Sequence, residues 1–439
     1  MDADQLVDVP LTAEELRDAW PALSWEERIE GFHRLVRAEA DDFFLELPPA
    51  DEAALLLALP PPERRLWIRL LAPDDAADVI QDTPEEERPR LLELLDPVAR
   101  REVTALLAYA EDAAGGLMSP RFARLRPEMT ADEAIRYLRR QAREQAETIY
   151  YAYVLDPDQK LVGVVSFRDL LTAAPDRRIA DLMKREVVSV PDTLDQEAVA
   201  RIMAHEDVNA IPVVDGQGRM QGIVTVDDVV DVVQQEATED IQKIGGMEAL
   251  DAPYLATGFL AMVKKRAGWL SALFIGEMFT ATAMAGFEDE IGRAVVLALF
   301  VPLIISSGGN SGSQASTLVI RAMALGEVAV RDALRVARRE VLSGLALGII
   351  LALIGSLRIF AWQGLFGTYG PRTPSIALTV SSSLVLVVTW GTLMGSMLPI
   401  LIRRLGFDPA SASAPFIATL VDVSGIVIYF TAARLILGL

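Results

Sequence analysis

The sequence of 439 residues contains no cysteine, which excludes disulfides and thiolate metal sites outright. Histidine is almost absent too. His33 and His205 are the only two, too few for a histidine metal centre. Basic residues are in deficit, 41 against 62 acidic ones, giving a net charge of -21 and an isoelectric point near 4.6. Nucleic acid, which needs a basic footprint, is therefore excluded as a partner. The first residues, MDADQLVDVP, lack the basic and apolar regions of a secretory signal, so the charged half that follows is expected in the cytoplasm. Beyond Trp269 there is no histidine or cysteine and no base–nucleophile arrangement, so no enzyme active site is expected.

What is present is sharply divided. Up to about Asp251 the chain is crowded with charge; from Trp269 onward it is mostly apolar, with charges gathered in short loops. This predicts a multi-domain protein with a soluble half and a membrane half. Residues 1–119 read as an all-α helical domain, 120–250 as an α/β duplicated domain, 251–267 as a linker helix and 268–439 as five membrane-spanning helices. In the first of these, short amphipathic segments recur behind Pro48, Pro61, Pro73, Pro84 and Pro97, with acids beside them. Proline in the first turn with nearby carboxylates fits helix N-termini, and the spacing predicts a small solenoid-like stack.

Between Arg121 and Val233 one pattern occurs twice: an amphipathic helix, a strand, an Asp-Pro or Asp-Gly turn, a second strand and a helix start. Gly163-Val-Val-Ser166-Phe-Arg-Asp169 matches Gly222-Ile-Val-Thr225-Val-Asp-Asp228 position for position. This resembles a tandem pair of cystathionine-β-synthase-type (CBS) domains. The resemblance implies an adenosine nucleotide such as ATP, held by Ser166 and Asp169 in one copy and by Thr225 and Asp228 in the other. The same Ser/Thr-x-x-Asp spacing is also a capping box that starts a helix, and both readings stand. Carboxylates crowd the next stretch, from Asp227 to Asp251. Residues 254–266 then read as a helical linker ending in Lys264, Lys265 and Arg266, the basic flank of a first span.

The apolar half divides at its charges into segments 268–287, 294–320, 341–360, 376–402 and 415–439, each long enough to cross a bilayer. Basic residues at 264–266, 321, 331–339 and 403–404 fall on one face, and the acidic FEDE run (287–290) on the other. This charge bias puts the N-terminus inside and the C-terminus outside a cell (inner) membrane. The second segment is interrupted by Pro302 and the run SSGGNSGSQAST. It reads either as broken backbone lining a wet cavity, with Asn310 and Gln314 as neutral oxygens, or as tight packing through small residues. In the fifth, Asp422 is the one charge between Asp408 and Arg434. A carboxylate there costs ~3 kcal/mol on insertion scales, and Ala414, Ala418 and Gly425 share its helical stripe. A carboxylate on a close-packing face suggests a cation site.

PLIISSGGNSGSQASTLVIRAMA in the second segment and IRRLGFDPASASAPFIATLVDVSGIVIYF leading into the fifth resemble the MgtE-type magnesium channels, as does the domain order. The resemblance implies a homodimer embedded in lipid, with Mg²⁺ as both the transported and the regulatory ion. Its pore on the two-fold axis would be lined by the second and fifth spans, placing Pro302, Asn310, Gln314 and Gly425 along the wall. Asp422 falls in the family's principal ion-site motif. Ala418 and Thr419, one turn earlier, would offer oxygens to the waters of a hydrated ion, which suits the reluctance of Mg²⁺ to shed them. Asp215, Glu248 and Asp251 correspond to regulatory acids, and 254–266 to the linker called the plug helix. Ala256 stands where another acid is expected. A transporter coupling Mg²⁺ to H⁺ or Na⁺ remains the alternative, since broken helices and one buried acid suit it equally.

Overall fold

The computed structural model describes residues 12–141, 150–250, 254 and 257–438. They form two compact units, divided between Gln235 and Glu236.

The first unit opens with eight short helices: α1 (Ala13–Ala19), α2 (Trp25–Arg34), α3 (Arg37–Leu45), α4 (Pro49–Ala58), α5 (Pro61–Trp67), α6 (Pro73–Gln81), α7 (Arg88–Leu94) and α8 (Pro97–Leu106). Proline starts them for the reason anticipated: Pro61, Pro73 and Pro97 occupy the first helical position, and Pro48 is an N-cap. Pro84 is the exception. It opens a turn closed by Glu87 N–H to Pro84 O at 2.8 Å, and helix α7 begins four residues later. The stack has a second repeating device. Arg64 donates to Leu59 O and Leu57 O (2.7 and 2.5 Å), Arg88 to Thr83 O and Gln81 O (2.9 and 2.5 Å), and Arg100 to Leu92 O and Glu93 O (2.8 and 2.7 Å). Each guanidinium thus satisfies the orphan carbonyls that end the preceding helix.

A single turn α9 (Ala114–Leu117) leads into the duplicated part: β1 (Arg124–Leu125), α10 (Ala131–Gln141), β2 (Tyr151–Leu155), β3 (Leu161–Ser166), α11 (Phe167–Thr172), α12 (Ile179–Leu182), β4 (Val190–Pro191), α13 (Gln196–Glu206), β5 (Ala210–Val214), β6 (Met220–Thr225) and α14 (Val226–Ile244). Each copy is a three-stranded sheet with one parallel and one antiparallel pairing. The duplication is visible in register: Tyr151 faces Ser166 as Ala210 faces Thr225, and both hairpins shift register near their ends, at Val154/Leu155 and Val213/Val214. One apolar cluster runs from Phe43, Leu56 and Ile80 of the helical stack to Val213 and Val229 of the second copy.

The second unit holds α15 (Phe259–Ala285), α16 (Glu288–Arg293), α17 (Val301–Ala324), α18 (Ala333–Phe366), α19 (Thr373–Arg404) and α20 (Ala414–Leu437). Among the described residues four helical stretches are long and apolar enough to cross a membrane: Val295–Ala324, Val330–Phe366, Gly370–Arg404 and Ala414–Leu437. Helix α15, with 27 residues, is long enough at ~1.5 Å per residue but is not among them; Lys264, Lys265, Arg266 and Glu277 dilute its apolar run. Of the described residues of the expected linker, 254 and 257–267, those from 259 on form no separate helix but the opening turns of α15. Asp251 and Ala256 lie outside the described residues.

The polar run of the second segment is not broken. Residues 301–324 form one continuous helix, with Pro302 in the first turn, where its missing N–H costs nothing. Its glycines are contact points. A Cβ on Gly312 would stand 2.9 Å from Gly391 O, and one on Gly308 would stand 2.5 Å from the Val387 side chain. Gly391 and Gly395 of α19 in turn press on the Gly308 and Gly312 carbonyls. Gly308-x₃-Gly312 thus meets Gly391-x₃-Gly395, the small-residue crossing that lets membrane helices approach backbone to backbone. Helix α18 repeats the device, with Gly344 and Gly348 against Thr389 and Val385 on another side of α19.

Gly312→Ala should therefore cost about 1–3 kcal/mol by overpacking and lower the thermal midpoint of the detergent-solubilised protein. Gly292→Ala, whose Cβ meets nothing within 4 Å, should leave that midpoint unchanged.

Candidate ion site and acidic cluster

Helix α20 starts at a well-built cap. Ser413 accepts a hydrogen bond from Phe416 N–H, and Pro415 sits in the first turn. Two serines of α17 hold the approach: Ser316 Oγ donates to Ala412 O at 3.1 Å and Ser313 Oγ to Ala414 O at 3.2 Å. Two turns on, half-buried Asp422 lies beside Gly309 of α17, whose missing Cβ would be 3.7 Å from its Oδ1 and 3.4 Å from Ala418 Cβ. The glycine leaves room for the carboxylate. Asp422 has no hydrogen-bond donor or cation as partner among the described residues. The charge that acts on it is another carboxylate, Glu277 of α15, and a Cβ on Gly276, next to Glu277, would stand 2.8 Å from Thr419 Cγ2. Thr419 Oγ1 donates to Pro415 O at 3.1 Å, which leaves its lone pairs free to accept.

The polar side chains of α17 are segregated. Ser306, Asn310 and Gln314, spaced by four, are exposed, with Pro302 one turn before them, while the glycines and Ser311 are buried. Asn310 Nδ2 donates to Ser306 Oγ at 3.3 Å. An apolar unit that presents a polar stripe offers it to water or to polar partners rather than to lipid. Gly425 is placed differently: it is buried, with its missing Cβ 3.3 Å from Val387 of α19. It packs the helix rather than facing Gly309.

In the soluble unit, Ser166 Oγ donates to Asp169 Oδ2 at 2.6 Å and accepts from Asp169 N–H at 3.1 Å. Thr225 Oγ1 donates to Asp228 Oδ2, also at 2.6 Å. Both pairs therefore work as helix-starting boxes. Asp215 is absorbed in the β5–β6 turn. It accepts from the Gln217 and Arg219 amides at 2.9 Å each and pairs with the Arg219 guanidinium at 3.4 Å. The Arg219 amide first, then the Gln217 amide, hold its carboxyl below the usual range. Glu248 is exposed after α14, its N–H bonded to Lys265 O.

Sequence reasoning missed a set of acids that the fold brings together. Glu52 on α4 is 3 % exposed, and burial, then Asp75 and Asp78, push its pKa up to about 9. Burial, then Asp75, Asp228, Glu111 and Asp82, push Asp78 up to about 8. Asp231 is raised by burial and by Asp227. Asp227, Asp228 and Asp231 stood out in the sequence as a dense run; nothing in it pairs them with residues 150 positions earlier. No three acidic or histidine side chains among the described residues converge closely enough to hold a bare metal ion.

A family model described as a divalent cation transporter, MgtE, matches residues 301–432; the MgtE intracellular N domain matches 11–112, and the CBS domain matches 114–176 and 179–235. The magnesium transporter MgtE of Thermus thermophilus is 43% identical over 427 residues, 97% of this chain and 93% of that protein. Magnesium transporters MgtE of Enterococcus faecalis (35% identical; 76% of this chain, 71% of that one) and Bacillus subtilis (34%; 81% and 77%) are also similar. A solved cytosolic domain of the Mg²⁺ channel MgtE in complex with ATP aligns with a TM-score of 0.47 at 45% identity, covering 50% of this chain and 90% of that one.

The raised carboxyls give the compact soluble unit a definite pH dependence. It binds more protons than the opened chain, so its stability is full below the ordinary carboxylate range and is lost as pH rises through about 8 and 9. Protease resistance of residues 12–235, followed in the full chain without divalent cations, should fall over that window. Glu52→Gln should blunt the fall and raise the melting temperature at pH 8 by a few degrees, about 1 kcal/mol.

Proposed function

Because the chain belongs to the MgtE family of magnesium transporters, we propose that it is a Mg²⁺-selective channel of the cell membrane, working as a homodimer with a Mg²⁺-sensing cytoplasmic gate. The observation that carries this reading is Asp422, an unpaired, half-buried carboxylate on an apolar helix, seated at Gly309 beside the polar stripe of α17. Two copies related by a two-fold axis would set two such carboxylates against one doubly charged ion. The ion keeps most of its waters, which Thr419 and the Ala418 carbonyl accept, so few direct ligands are needed. Asn310 and Gln314 supply neutral oxygens along the same route.

Continuity of α17 favours a channel over a transporter coupled to H⁺ or Na⁺, because the discontinuous helix that suited coupling is absent from residues 301–324. Five spans are part of the proposal. Arg321, Arg331–Arg339 and Arg403–Arg404 mark one face, so α17 enters from the opposite face, and α15 must cross if the soluble unit is cytoplasmic. Its Gly276 contact with Thr419, near the level of Asp422, supports that course. The N-terminus is then inside and the C-terminus outside.

For the gate, the carboxyls around Glu52 and Asp78 would repel once they lose their protons, until a cation lies among them, and Asp215, Glu248 and Asp251 would serve as further regulatory acids. Mg²⁺ inside the cell would therefore favour the compact, closed state in proportion to its preference for it. ATP at the CBS pair would use Ser166 with Asp169 and Thr225 with Asp228, already aligned at the starts of α11 and α14.

Mg²⁺ uptake into liposomes tests the ion path. Asp422→Ala should lower uptake by at least about tenfold, the scale of one lost charge-assisted contact; uptake equal to wild type would place the path elsewhere. Discrete single-channel openings are expected, and their absence alongside proton-dependent uptake would favour coupling.

A further inference from the structure

The start of α20 is held by more than its cap. Asp408 uses Oδ1 to accept the Ala410 amide at 2.8 Å, shaping the turn before the helix, and Oδ2 to accept Lys243 Nζ at 2.7 Å. Lys243 lies in the last turn of α14 and also pairs with Glu239 one turn earlier. An i,i+4 pair and a cation at a helix C-terminus would explain Glu239 and Lys243 by themselves; they do not explain a partner 165 residues away. The contact is also not alone. Gly246, at φ +75°, turns the chain just past α14, where a Cβ would meet Trp269 at 2.9 Å and Pro415 at 3.1 Å. Trp269 Nε1 donates to Ser413 Oγ, the cap of α20, at 3.1 Å. Burial alone would lower the pKa of Lys243. The hydrogen bonds and charges of Asp408 and Glu239 outweigh it, so the ammonium stays charged throughout the ordinary pH range.

We propose that Lys243 is a positioning residue for ion flow, a latch whose ammonium ties the last turn of α14 to Asp408 and so fixes the start of the helix that carries Asp422. The proposal rests on Asp422 as the ion site. The latch is strong enough to choose a position and weak enough to open: the two side chains are 29% and 38% exposed, and such a pair is screened and breakable. Since α14 begins at Val226, inside the second CBS copy, and runs on to Ile244, the latch is where a shift of that helix becomes a shift of α20.

The test uses the full chain in liposomes and two readouts, Mg²⁺ uptake against internal Mg²⁺ and hydrogen exchange of the 408–417 amides. Lys243→Met and Asp408→Asn should each move the half-inhibiting internal Mg²⁺ about fivefold, the reach of a part-exposed ion pair. Uptake at vanishing internal Mg²⁺ should stay within about twofold of wild type. Exchange of 408–417 should rise about fivefold in Lys243→Met. Lys243→Arg, and the exchanged pair Lys243→Asp with Asp408→Lys, should restore both readouts. An unchanged inhibition curve, unchanged exchange, or no recovery in the exchanged pair overturns the latch. A wild type that carries Mg²⁺ without responding to internal Mg²⁺ fails the gating reading instead. The latch is then judged by exchange alone, and a Lys243→Met protein whose 408–417 amides exchange as in wild type overturns it.

Discussion

Backbone pressing on backbone at the α17–α19 crossing is the constraint on which the membrane unit depends. Lipid tails are as apolar as leucine, so helices there gain little from hiding apolar surface and must gain from close van der Waals contact. Gly308 and Gly312 meeting Gly391 and Gly395 provide that contact, and Gly344 and Gly348 repeat it between α18 and α19. Helix α19 becomes the post around which α17, α18 and α20 are arranged. With one side of α17 committed to glycine packing, its Ser306, Asn310 and Gln314 are forced to the opposite side. The packing and the polar stripe are one decision, read from two faces of the same helix.

Asp422 shows the complementary logic. Its helix is capped, tethered by Ser313 and Ser316, and packed through Ile417, Val421 and Ile426, all essentially fully buried. The carboxylate is left without a partner among the described residues, in a gap that Gly309 keeps open. An unsatisfied charge in an apolar unit is the place where the fold expects something from outside.

Much of this was legible in the sequence, for physical reasons that differ by region. Proline at the first helical position marks the α4, α5, α6 and α8 starts because its fixed conformation and missing N–H cost nothing there. The twofold pattern around Ser166 and Thr225 came through because a duplicated fold repeats its turns. Asp422 was legible because one charge in an apolar run has no innocuous explanation. The role of the α17 glycines was not: a paired glycine weakens a helix and also lets another approach, and only the neighbour decides. The packing of Gly425 against Val387 was hidden for the same reason. The nearness of Glu52 and Asp78 to Asp228 depends on tertiary packing alone, and 259–266 merged into α15 because no breaker separates the basic run from the apolar one.

The arginine caps of the helical stack have an electrostatic side. Arg64, Arg88 and Arg100 give their hydrogen bonds to carbonyl oxygens, and none of the three forms an ion pair among the described residues. Their charge reaches the acids only at a distance, as that of Arg88 does on Asp82. Glu52 and Asp78 are relieved instead by keeping their protons. The backbone economy of a helical stack thus leaves its mark on the proton affinity of the acids beside it.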